Sequence, residues 1–460
     1  MLCYNPLLVH HSCIQVIIRH EVGVPRLKRS LKRILIILFS LLPASVWLSC
    51  GGSSSSASTQ TSGLKDRAFI TNNVSAGTLA AGVYIIDAQN DVRSAAPVIT
   101  AGNTPGMMVV TPNRDQTLVF SGNGTQFSDN VLTIINNAGE SVAAHVTLPS
   151  GTESIVISPD SSAAYVALPN APVVGQPPGI VEAVSTNGGF VGQVAVPAVH
   201  YLSIDNSGDR ILGFSDNSDS IAVITPSNIG LPNTTAVTFV PGFHRPVSAF
   251  FSTDGTTAYI VNCGAECGLG QASVQTFDFT TGTAGTAVSV PAATIALVSN
   301  STMYLAGTPL PNPLPQPCTG ETTQSNSCGL LTVVDLNSMT VTNSSPIIIT
   351  DGYHDRMSLG ADGQLFIGSR TCTEITPPVP PPTGAEVRGC LSIYNTQTGA
   401  VVIPPANGDV TGIQPIAKRE IVYVVQGGSL AIYDTRTDAL HDPQILNLVG
   451  QFYDVKTVDF

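Results

Sequence analysis

The chain has 460 residues, of which 43% are hydrophobic and only 11% charged, and its formal net charge is −12. These values exclude a disordered tail protein, a coiled coil and a nucleic-acid-binding protein. It contains 42 Gly and 33 Pro without a collagen period, which favours an all-β chain of short strands separated by turns.

The N-terminal segment has the pattern of a secretion signal. Basic residues between Arg26 and Arg33 precede the apolar run 34–42, which is followed by small residues up to Cys50. This order of regions is typical of a secretory signal, and the apolar run is shorter than the roughly 20 residues that a membrane-spanning helix needs. We therefore expect residues 1–49 to be a signal peptide. Residues before about 24 fit no signal pattern, so a true start at Val22 or Val24 is a further hypothesis.

The segment after the apolar run resembles a bacterial lipoprotein signal. Leu48-Ser49-Cys50-Gly51 is followed by a Ser/Thr-rich stretch that extends to Ser62. The resemblance implies lipidation of Cys50, a tether over 50–64 and anchoring at the outer membrane, on its periplasmic or cell-surface side. The alternative is an ordinary cleaved signal with an incidental cysteine.

The charge of the mature chain limits its partners. Without residues 1–49 it carries 13 basic and 30 acidic groups, a net charge of −17. Such a surface repels phosphate backbones and anionic lipid head groups. We therefore expect no nucleic-acid partner, and contact with a membrane only through the lipid anchor.

A unit of four short strands recurs along the chain. One copy comprises 154–160, which ends in Ser-Pro-Asp, followed by 164–168, 180–184 and 192–196. The second strand of the unit occurs eight times, at 68–71, 118–120, 164–166, 211–214, 258–261, 303–305, 365–367 and 422–425. Because one such unit cannot bury both faces by itself, copies must stack, and this many copies close into a ring.

The repeat therefore predicts an eight-bladed β-propeller over residues 65–460, with four antiparallel strands per blade and seven blades as the alternative. The first copy lacks its opening strand, whereas 452–460 forms an opening strand with nothing after it. We expect the C-terminal strand to join the N-terminal blade and close the ring, which removes exposed sheet edges.

Several repeat segments resemble the YVTN/lactonase-like family of extracellular β-propellers. They are Leu331-Thr-Val-Val-Asp-Leu-Asn337, Leu391-Ser-Ile-Tyr-Asn-Thr-Gln-Thr-Gly399 and Ala431-Ile-Tyr-Asp-Thr-Arg-Thr437. The resemblance covers roughly residues 65–460 and implies the blade geometry. It points to lactone hydrolysis as one candidate activity, although a turn between two strands specifies no reaction.

Six cysteines follow Cys50, and an even number in an exported chain favours disulfides. Two fall between the second and third strands of each of three successive blades. Of the 15 possible pairings, the local one is simplest: Cys263–Cys267, Cys318–Cys328 and Cys372–Cys390. A metal or redox site at 263–267 is the alternative, but no His lies beside it and its spacing lacks the paired Cys-x-x-Cys of zinc sites. All three loops lie on the same rim of the predicted propeller, and we call this disulfide-closed surface the stapled rim. Closing three neighbouring loops indicates a surface with a fixed shape.

Polar residues gather where the chain enters the innermost strands, around the mouth of the central channel. The candidate ligand-binding residues are His200, His244, Arg245, His354, Asp355 and Arg356, with Glu153, Asp409, Tyr453 and Asp454 nearby. The three histidines could converge on a divalent metal, whereas the arginines could hold a carboxylate or sugar acid. Because the histidines occupy different positions in the repeat, we assign no metal. Channel mouths are polar in any propeller, so these residues need have no function.

Two functions remain in consideration. No Gly-x-Ser-x-Gly, P-loop or His-Glu-x-x-His motif occurs. The favoured function is a non-enzymatic, envelope-anchored module that binds a protein or glycan partner on the stapled rim, as a monomer and without a cofactor. The alternative is a lactone hydrolase with its site at the channel mouth. No catalytic residue is assigned.

Overall fold

The computed structural model describes residues 61–74, 80–122, 129–309, 328–373, 389–406, 408–441 and 451–459. All of them belong to one compact unit, Thr59–Phe460. The predicted signal peptide and the lipidation site Cys50 lie outside the described residues. No helix in these ranges is long and apolar enough to cross a membrane.

The described residues form eight antiparallel sheets, which confirms the predicted eight-bladed propeller. Blade 1 contains β1 (Arg67–Asn72), β2 (Gly82–Asp87), β3 (Val92–Arg93) and the C-terminal strand β33 (Phe452–Thr457). Blade 2 contains β4 (Pro105–Val110), β5 (Gln116–Ser121), β6 (Val131–Asn136) and β7 (Ser141–Thr147). Blade 3 contains β8 (Ile155–Ile157), β9 (Ala163–Leu168), β10 (Ile180–Ser185) and β11 (Phe190–Ala195). Blade 4 contains β12 (Val199–Ile204), β13 (Ile211–Ser215), β14 (Ser220–Ile224) and β15 (Val237–Pro241).

The remaining four blades follow the same order. Blade 5 contains β16 (Pro246–Phe251), β17 (Thr257–Asn262), β18 (Ser273–Asp278) and β19 (Thr283–Ser289). Blade 6 contains β20 (Ile295–Ser299), β21 (Thr302–Gly307), β22 (Gly329–Asp335) and an outer strand split into β23 (Thr340–Val341) and β24 (Ile347–Ile349). Blade 7 contains β25 (Tyr353–Leu359), β26 (Gln364–Arg370), β27 (Leu391–Asn395) and β28 (Val401–Val402). Blade 8 contains β29 (Val410–Ile416), β30 (Ile421–Gln426), β31 (Ser429–Asp434) and β32 (Ala439–Leu440). Two 3₁₀ turns, Pro226–Asn228 and Gly264–Cys267, lie in connections.

Apolar side chains between neighbouring blades form the core. The middle strands are buried on both faces, as in β30, whereas the outer strand β19 is largely exposed. Within the described ranges there are eight hydrophobic clusters, and each one joins residues of two adjacent blades. Each blade therefore buries both faces only because it has a neighbour on each side.

The innermost strands form a closed ring around the channel. Each of them contacts the inner strands of the two adjacent blades, in the order β33, β4, β8, β12, β16, β20, β25, β29 and back to β33. Because every blade repeats the same chain path, all eight inner strands begin at the same end of the channel. Residues at the start of these strands therefore meet at one mouth, and residues at their ends meet at the other.

The C-terminal strand completes the first blade, as predicted. β33 pairs with β1, and Ile70 faces Val455 in the register of this antiparallel pair. Arg67 joins the closure through Asp459 at 2.6 Å and Glu140 of blade 2 at 2.9 Å. These charged groups are mostly buried and paired, which is the arrangement in which ion pairs resist separation.

The structure contains two of the local disulfides. Cys263–Cys267 closes the loop between β17 and β18, and Cys372–Cys390 closes the loop between β26 and β27. Cys328 is also disulfide-bonded, but Cys318, its expected partner, lies outside the described residues.

Candidate ligand site at the channel mouth

Two adjoining cavities occupy the mouth end of the channel. The mouth cavity, of about 560 Å³, is lined by residues that include Glu153, His200, Asp216, Arg245, Glu266, Cys267, Arg370 and Asp409. The inner cavity, of about 220 Å³, is lined by residues that include Met107, Asp355, Arg356 and Tyr453. The two cavities share Glu153, Tyr201, Val247, Tyr353 and Arg370. They therefore form one continuous space with a volume typical of small-molecule sites.

Four of the six predicted residues line this space. His200 and Arg245 line the mouth cavity, and Asp355 and Arg356 line the inner cavity. The four come from the beginnings of three inner strands or from the residue just before one, which is where the repeat predicted that the channel entrance would lie.

His354 does not reach the channel. Its side chain is fully buried in the blade, and Nε2 donates a hydrogen bond to the carbonyl oxygen of Thr350 at 2.9 Å. Burial lowers the pKa of His354 to about 4, so the imidazole is neutral at physiological pH. Successive residues of a strand face opposite sides, which places Tyr353 and Asp355 at the channel and His354 in the sheet. A register shift follows between His354 and Arg356, and it turns Arg356 to the channel side as well.

His244 lies away from the other two histidines. It is exposed, and its side chain packs beside Gly270. At the next residue, Arg245, a backbone φ of 54° turns the chain into the channel wall. The three histidines therefore do not converge as the metal hypothesis required. In the described part of the chain no group of three or more His, Cys, Asp or Glu residues could hold a metal ion.

His200 lies between two carboxylates at the cavity entrance. Nε2 is 3.2 Å from Glu153 Oε2, and Nδ1 is 3.1 Å from Asp216 Oδ2. The hydrogen bond to Glu153 raises the pKa of His200, and the same bond lowers the pKa of Glu153. The protonated imidazole can donate from both nitrogens, so this arrangement favours a cationic His200.

Two arginines share one carboxylate in the wall of the inner cavity. Asp355 Oδ2 lies 2.7 Å from Arg370 Nε and 3.3 Å from Arg356 Nη1. Arg356 Nε also donates to the carbonyl oxygen of Thr411 at 2.7 Å. Burial raises the pKa of Asp355, which the two guanidinium groups oppose. Asp355 Oδ1 is buried without a hydrogen-bond partner among the described residues, so a ligand hydroxyl could donate to it.

Arg245, just before the inner strand of blade 5, adds a third guanidinium in the wall of the mouth cavity. Its side chain is only 15% exposed, and its Nε is 3.9 Å from Asp219 Oδ1, beyond hydrogen-bond distance. Nε has no hydrogen-bond partner within the described ranges. A buried guanidinium nitrogen in this state favours an anionic ligand.

Glu266 supplies a carboxyl group that can hold a proton. It lies in the five-residue loop closed by Cys263–Cys267, and its Oε2 accepts a hydrogen bond from the backbone N–H of Thr308 at 2.8 Å. Gly307 permits this approach, because a Cβ there would lie 2.7 Å from Glu266 Oε2. Burial raises the pKa of Glu266 to about 8, so this side chain is largely neutral at pH 7 and can donate a hydrogen bond into the cavity.

Arg370 and Glu266 were not among the predicted residues. Arg370 ends the second strand of blade 7, and Glu266 lies in the loop after the second strand of blade 5, whereas the predicted residues lie at the entrances to the innermost strands. The position of Glu266 inside the Cys263–Cys267 loop was a signal in the sequence, because a disulfide that closes five residues restricts the conformations of the side chains between its cysteines.

No protein-family model matches the sequence, and no curated protein matches it significantly. Solved structures do match. The structure of dihydro-heme d1 dehydrogenase NirN in complex with DHE aligns with a TM-score of 0.57 at 12% identity, over 86% of this chain and 76% of that chain. The Dos1 propeller aligns with a TM-score of 0.54 at 10% identity, over 76% of this chain and 86% of that chain. The periplasmic gluconolactonase PpgL of Pseudomonas aeruginosa aligns with a TM-score of 0.46 at 15% identity, over 85% of this chain and 98% of that chain. At these identities the likeness concerns the fold, and the chain is similar to known β-propellers.

Proposed function

We propose that this protein binds a small hydroxylated carboxylic acid, of the sugar-acid type, in the mouth and inner cavities. The observation that carries the proposal is the convergence of Arg245, Arg356 and Arg370 on one continuous space. The sequence has 19 Lys and Arg residues, six of which precede residue 50. Cationic side chains are therefore rare in this acidic chain, yet three arginines line one continuous space. Guanidinium groups have the geometry to bind a carboxylate through two hydrogen bonds.

The other lining groups match the rest of such a ligand. Glu153, Asp355 and Asp409 supply carboxylate oxygens, which accept hydrogen bonds from hydroxyl groups. The rings of Tyr201 and Tyr353 supply apolar faces for the carbon skeleton. A few polar groups around a partly apolar cavity are the usual composition of small-molecule sites.

Calorimetric titration of residues 51–460 tests the proposal. Gluconate and galacturonate are the probes, and glucose is the uncharged comparison. We expect saturable binding of at least one acid, weaker binding of glucose, and loss of binding in Arg370→Met. Arg436→Met is the matched control, since Arg436 is exposed in the hairpin of blade 8 and is removed from both cavities. Equal affinities in the two variants, or no binding of either acid, would overturn the proposal.

Lactone hydrolysis is the second candidate, and Glu266 is the observation that favours it. Opening a lactone adds water to the carbonyl carbon and transfers a proton to the leaving oxygen. A general acid works best with a pKa near the operating pH, and Glu266 has such a value. Release of acid from glucono-δ-lactone, above the spontaneous rate and lost in Glu266→Gln, would support hydrolysis. If a ligand binds but acid release from the lactone stays at the spontaneous rate, the protein binds its ligand without hydrolysing it.

The cellular setting is part of the proposal. We propose that the propeller works outside the cytoplasm, anchored at the outer membrane through lipidated Cys50, and that its stapled rim binds a protein or glycan partner. The disulfides Cys263–Cys267 and Cys372–Cys390 support an oxidising compartment. Fractionation of cells that produce wild-type and Cys50→Ala protein tests the anchor, because only the wild type should remain with the membrane fraction.

A further inference from the structure

The opposite end of the channel has its own cavity. This far cavity, of about 450 Å³, is lined by residues of the inner strands β4, β25, β29 and β33, among them Arg356, Gln414, Asp454 and Lys456, and by Arg114 from the turn after β4. On β33, Tyr453 lines the inner cavity while Lys456 lines the far cavity, so the two spaces lie in order along the same strand. None of the mouth-cavity residues described above lines the far cavity.

Three cationic side chains from three blades meet there. Lys456 comes from blade 1, Arg114 from blade 2 and Arg356 from blade 7. Arg114 is held at the edge of the cavity by a hydrogen bond from Nη1 to the carbonyl oxygen of Thr457 at 2.9 Å. Arg356 is held by its bonds to the carbonyl oxygens of Thr411 and Asp355. Arg114 and Arg356 are thus positioned by backbone contacts on the wall of the same space.

One acid, Asp454, lies among them. It is buried, and its oxygens accept hydrogen bonds from the backbone N–H groups of Met108 at 2.9 Å and Val455 at 2.8 Å. Lys456 Nζ lies 3.1 Å from Asp454 Oδ1. Asp454 therefore balances one of the three positive charges while its oxygens are engaged with the protein. Asp355, the other carboxylate near Arg356, lies on the side of the inner cavity and is shared with Arg370.

We propose that the far cavity binds a small oxyanion that carries two negative charges, such as a phosphate. The three cations and Asp454 sum to two positive charges, which a dianion neutralises. Like charges held together raise the free energy of the empty site, and an anion between them relieves this repulsion. In a chain of net charge −12 such an arrangement cannot follow from an excess of cations. This site shares Arg356 with the proposed sugar-acid site, but Lys456, Arg114 and Asp454, on which it otherwise rests, line neither the mouth cavity nor the inner cavity.

Thermal unfolding and NMR titration with inorganic phosphate test the proposal. Sodium chloride at equal ionic strength is the comparison, because general screening would act equally in both salts. We expect phosphate to raise the Tm of the wild type, with saturation, and to shift the backbone amide resonances of Met108 and Lys456. Phosphate affinity should fall about tenfold or more in Lys456→Met and in Arg114→Met, as expected for a lost hydrogen bond to a charged group.

Two control variants make the result specific. Arg93→Met removes the same charge from an exposed residue of β3 outside the cavity and should keep wild-type phosphate affinity. Arg436→Met should also keep it, because Arg436 is exposed in blade 8 and lines none of the three cavities. Arg114→Lys retains the charge and should recover part of the affinity if the Met variant folds poorly. A wild-type response no larger than that to chloride, or equal phosphate affinities in Lys456→Met and Arg93→Met, would overturn the proposal.

Discussion

The hydroxyl groups of Tyr201 and Tyr353 lie 3.2 Å apart across the central channel. Tyr201 comes from blade 4 and Tyr353 from blade 7, so this hydrogen bond joins blades that are three positions apart in the ring. Both residues line the mouth cavity and the inner cavity, and the pair therefore lies between the two spaces. Burial raises the pKa of both phenols, so both remain neutral at physiological pH. Either hydroxyl group can therefore donate the hydrogen bond to the other.

We expect this bond to show coupling in a double-mutant cycle. Tyr201→Phe and Tyr353→Phe should each lower the free energy of unfolding by about 1 kcal/mol, a usual value for one hydrogen bond. The double variant should cost less than the sum of the two, because either change already breaks the bond. Urea unfolding measures all four proteins. Additive losses would mean that the hydroxyl groups contact something other than each other.

The second prediction concerns the titration of His200. The pKa of His200, measured by NMR, should lie above the ordinary histidine value of 6.5 and should fall in Glu153→Gln, because the hydrogen bond to Glu153 is the main reason that it is raised. Asp216→Asn should lower it less. Glu420→Gln, which removes a carboxylate that pairs with Arg436 in blade 8 and lines neither cavity, is the control and should leave the pKa of His200 unchanged. An unchanged titration of His200 in Glu153→Gln would contradict the proposed contact.

The third prediction is a pH dependence of stability that depends on Glu266. Burial raises the pKa of Glu266 to about 8 in the native protein, whereas in the unfolded chain the carboxyl group loses its proton near the ordinary glutamate pKa of 4.5. The native state thus binds more protons in this window, so the contribution of Glu266 is fully present below pH 4.5 and is lost as the pH rises through 8.

Glu266→Gln should remove this dependence. Urea unfolding at pH 5 and at pH 8 measures the free energy of unfolding of both proteins. The difference, variant minus wild type, should be larger at pH 8 than at pH 5 by about 1 kcal/mol or more. Glu420→Gln, at a half-exposed residue that pairs with Arg436, should leave the profile unchanged. His200 and Asp355 titrate in both proteins, so their contribution to the pH dependence of stability cancels when the two proteins are compared. If stability changes with pH in the same way in the wild type and in Glu266→Gln, the pKa of Glu266 is not raised in the native protein.

The fourth prediction separates two effects of the disulfides. Cys263 and Cys267 are four residues apart, whereas Cys372 and Cys390 are 18 apart. A longer closed loop restricts the unfolded chain more, so Cys372→Ala with Cys390→Ala should cost more stability. Cys263→Ala with Cys267→Ala should instead cost more ligand affinity, because that loop positions Glu266 and Cys267 in the cavity wall. Urea unfolding measures the loss of stability of each double variant, and gluconate titration measures its loss of affinity. If the same double variant shows the larger loss in both measurements, the two disulfides do not have the separate roles expected here.

The repeat made the fold predictable from the sequence. The strand β9 and its seven counterparts are short, largely apolar segments bounded by turns, and a four-stranded unit built on such a strand can bury both faces only against its neighbours in a ring. The pairing of β33 with β1 followed from a missing strand at one end of the repeat and a surplus strand at the other. The outer strand of blade 6 was less regular than expected, because residues Thr342 to Pro346 divide it into β23 and β24.

The candidate site was predictable only in part. The inner-strand entrances placed Arg245 and Arg356 correctly near the channel, because their position depends on the repeat. The direction of a side chain within a strand depends on the parity of its register, and a single shift in β25 separates buried His354 from Arg356. Arg370 reaches the cavity from the end of a second strand through its contact with Asp355, and no pattern along the sequence encodes such a pair.

The pairing of β1 with β33 also has a consequence for how the fold is reached in time. Residues Ala68 and Thr457 are neighbours in one sheet, although almost the whole described chain lies between them. During synthesis β1 emerges first and must wait, with one edge unpaired, until seven further blades have been made. Contacts between such distant residues carry a large loop-closure cost and are formed slowly. The ring is therefore complete only when its last strand arrives, and until then the first blade is the part of the nascent chain most in need of protection.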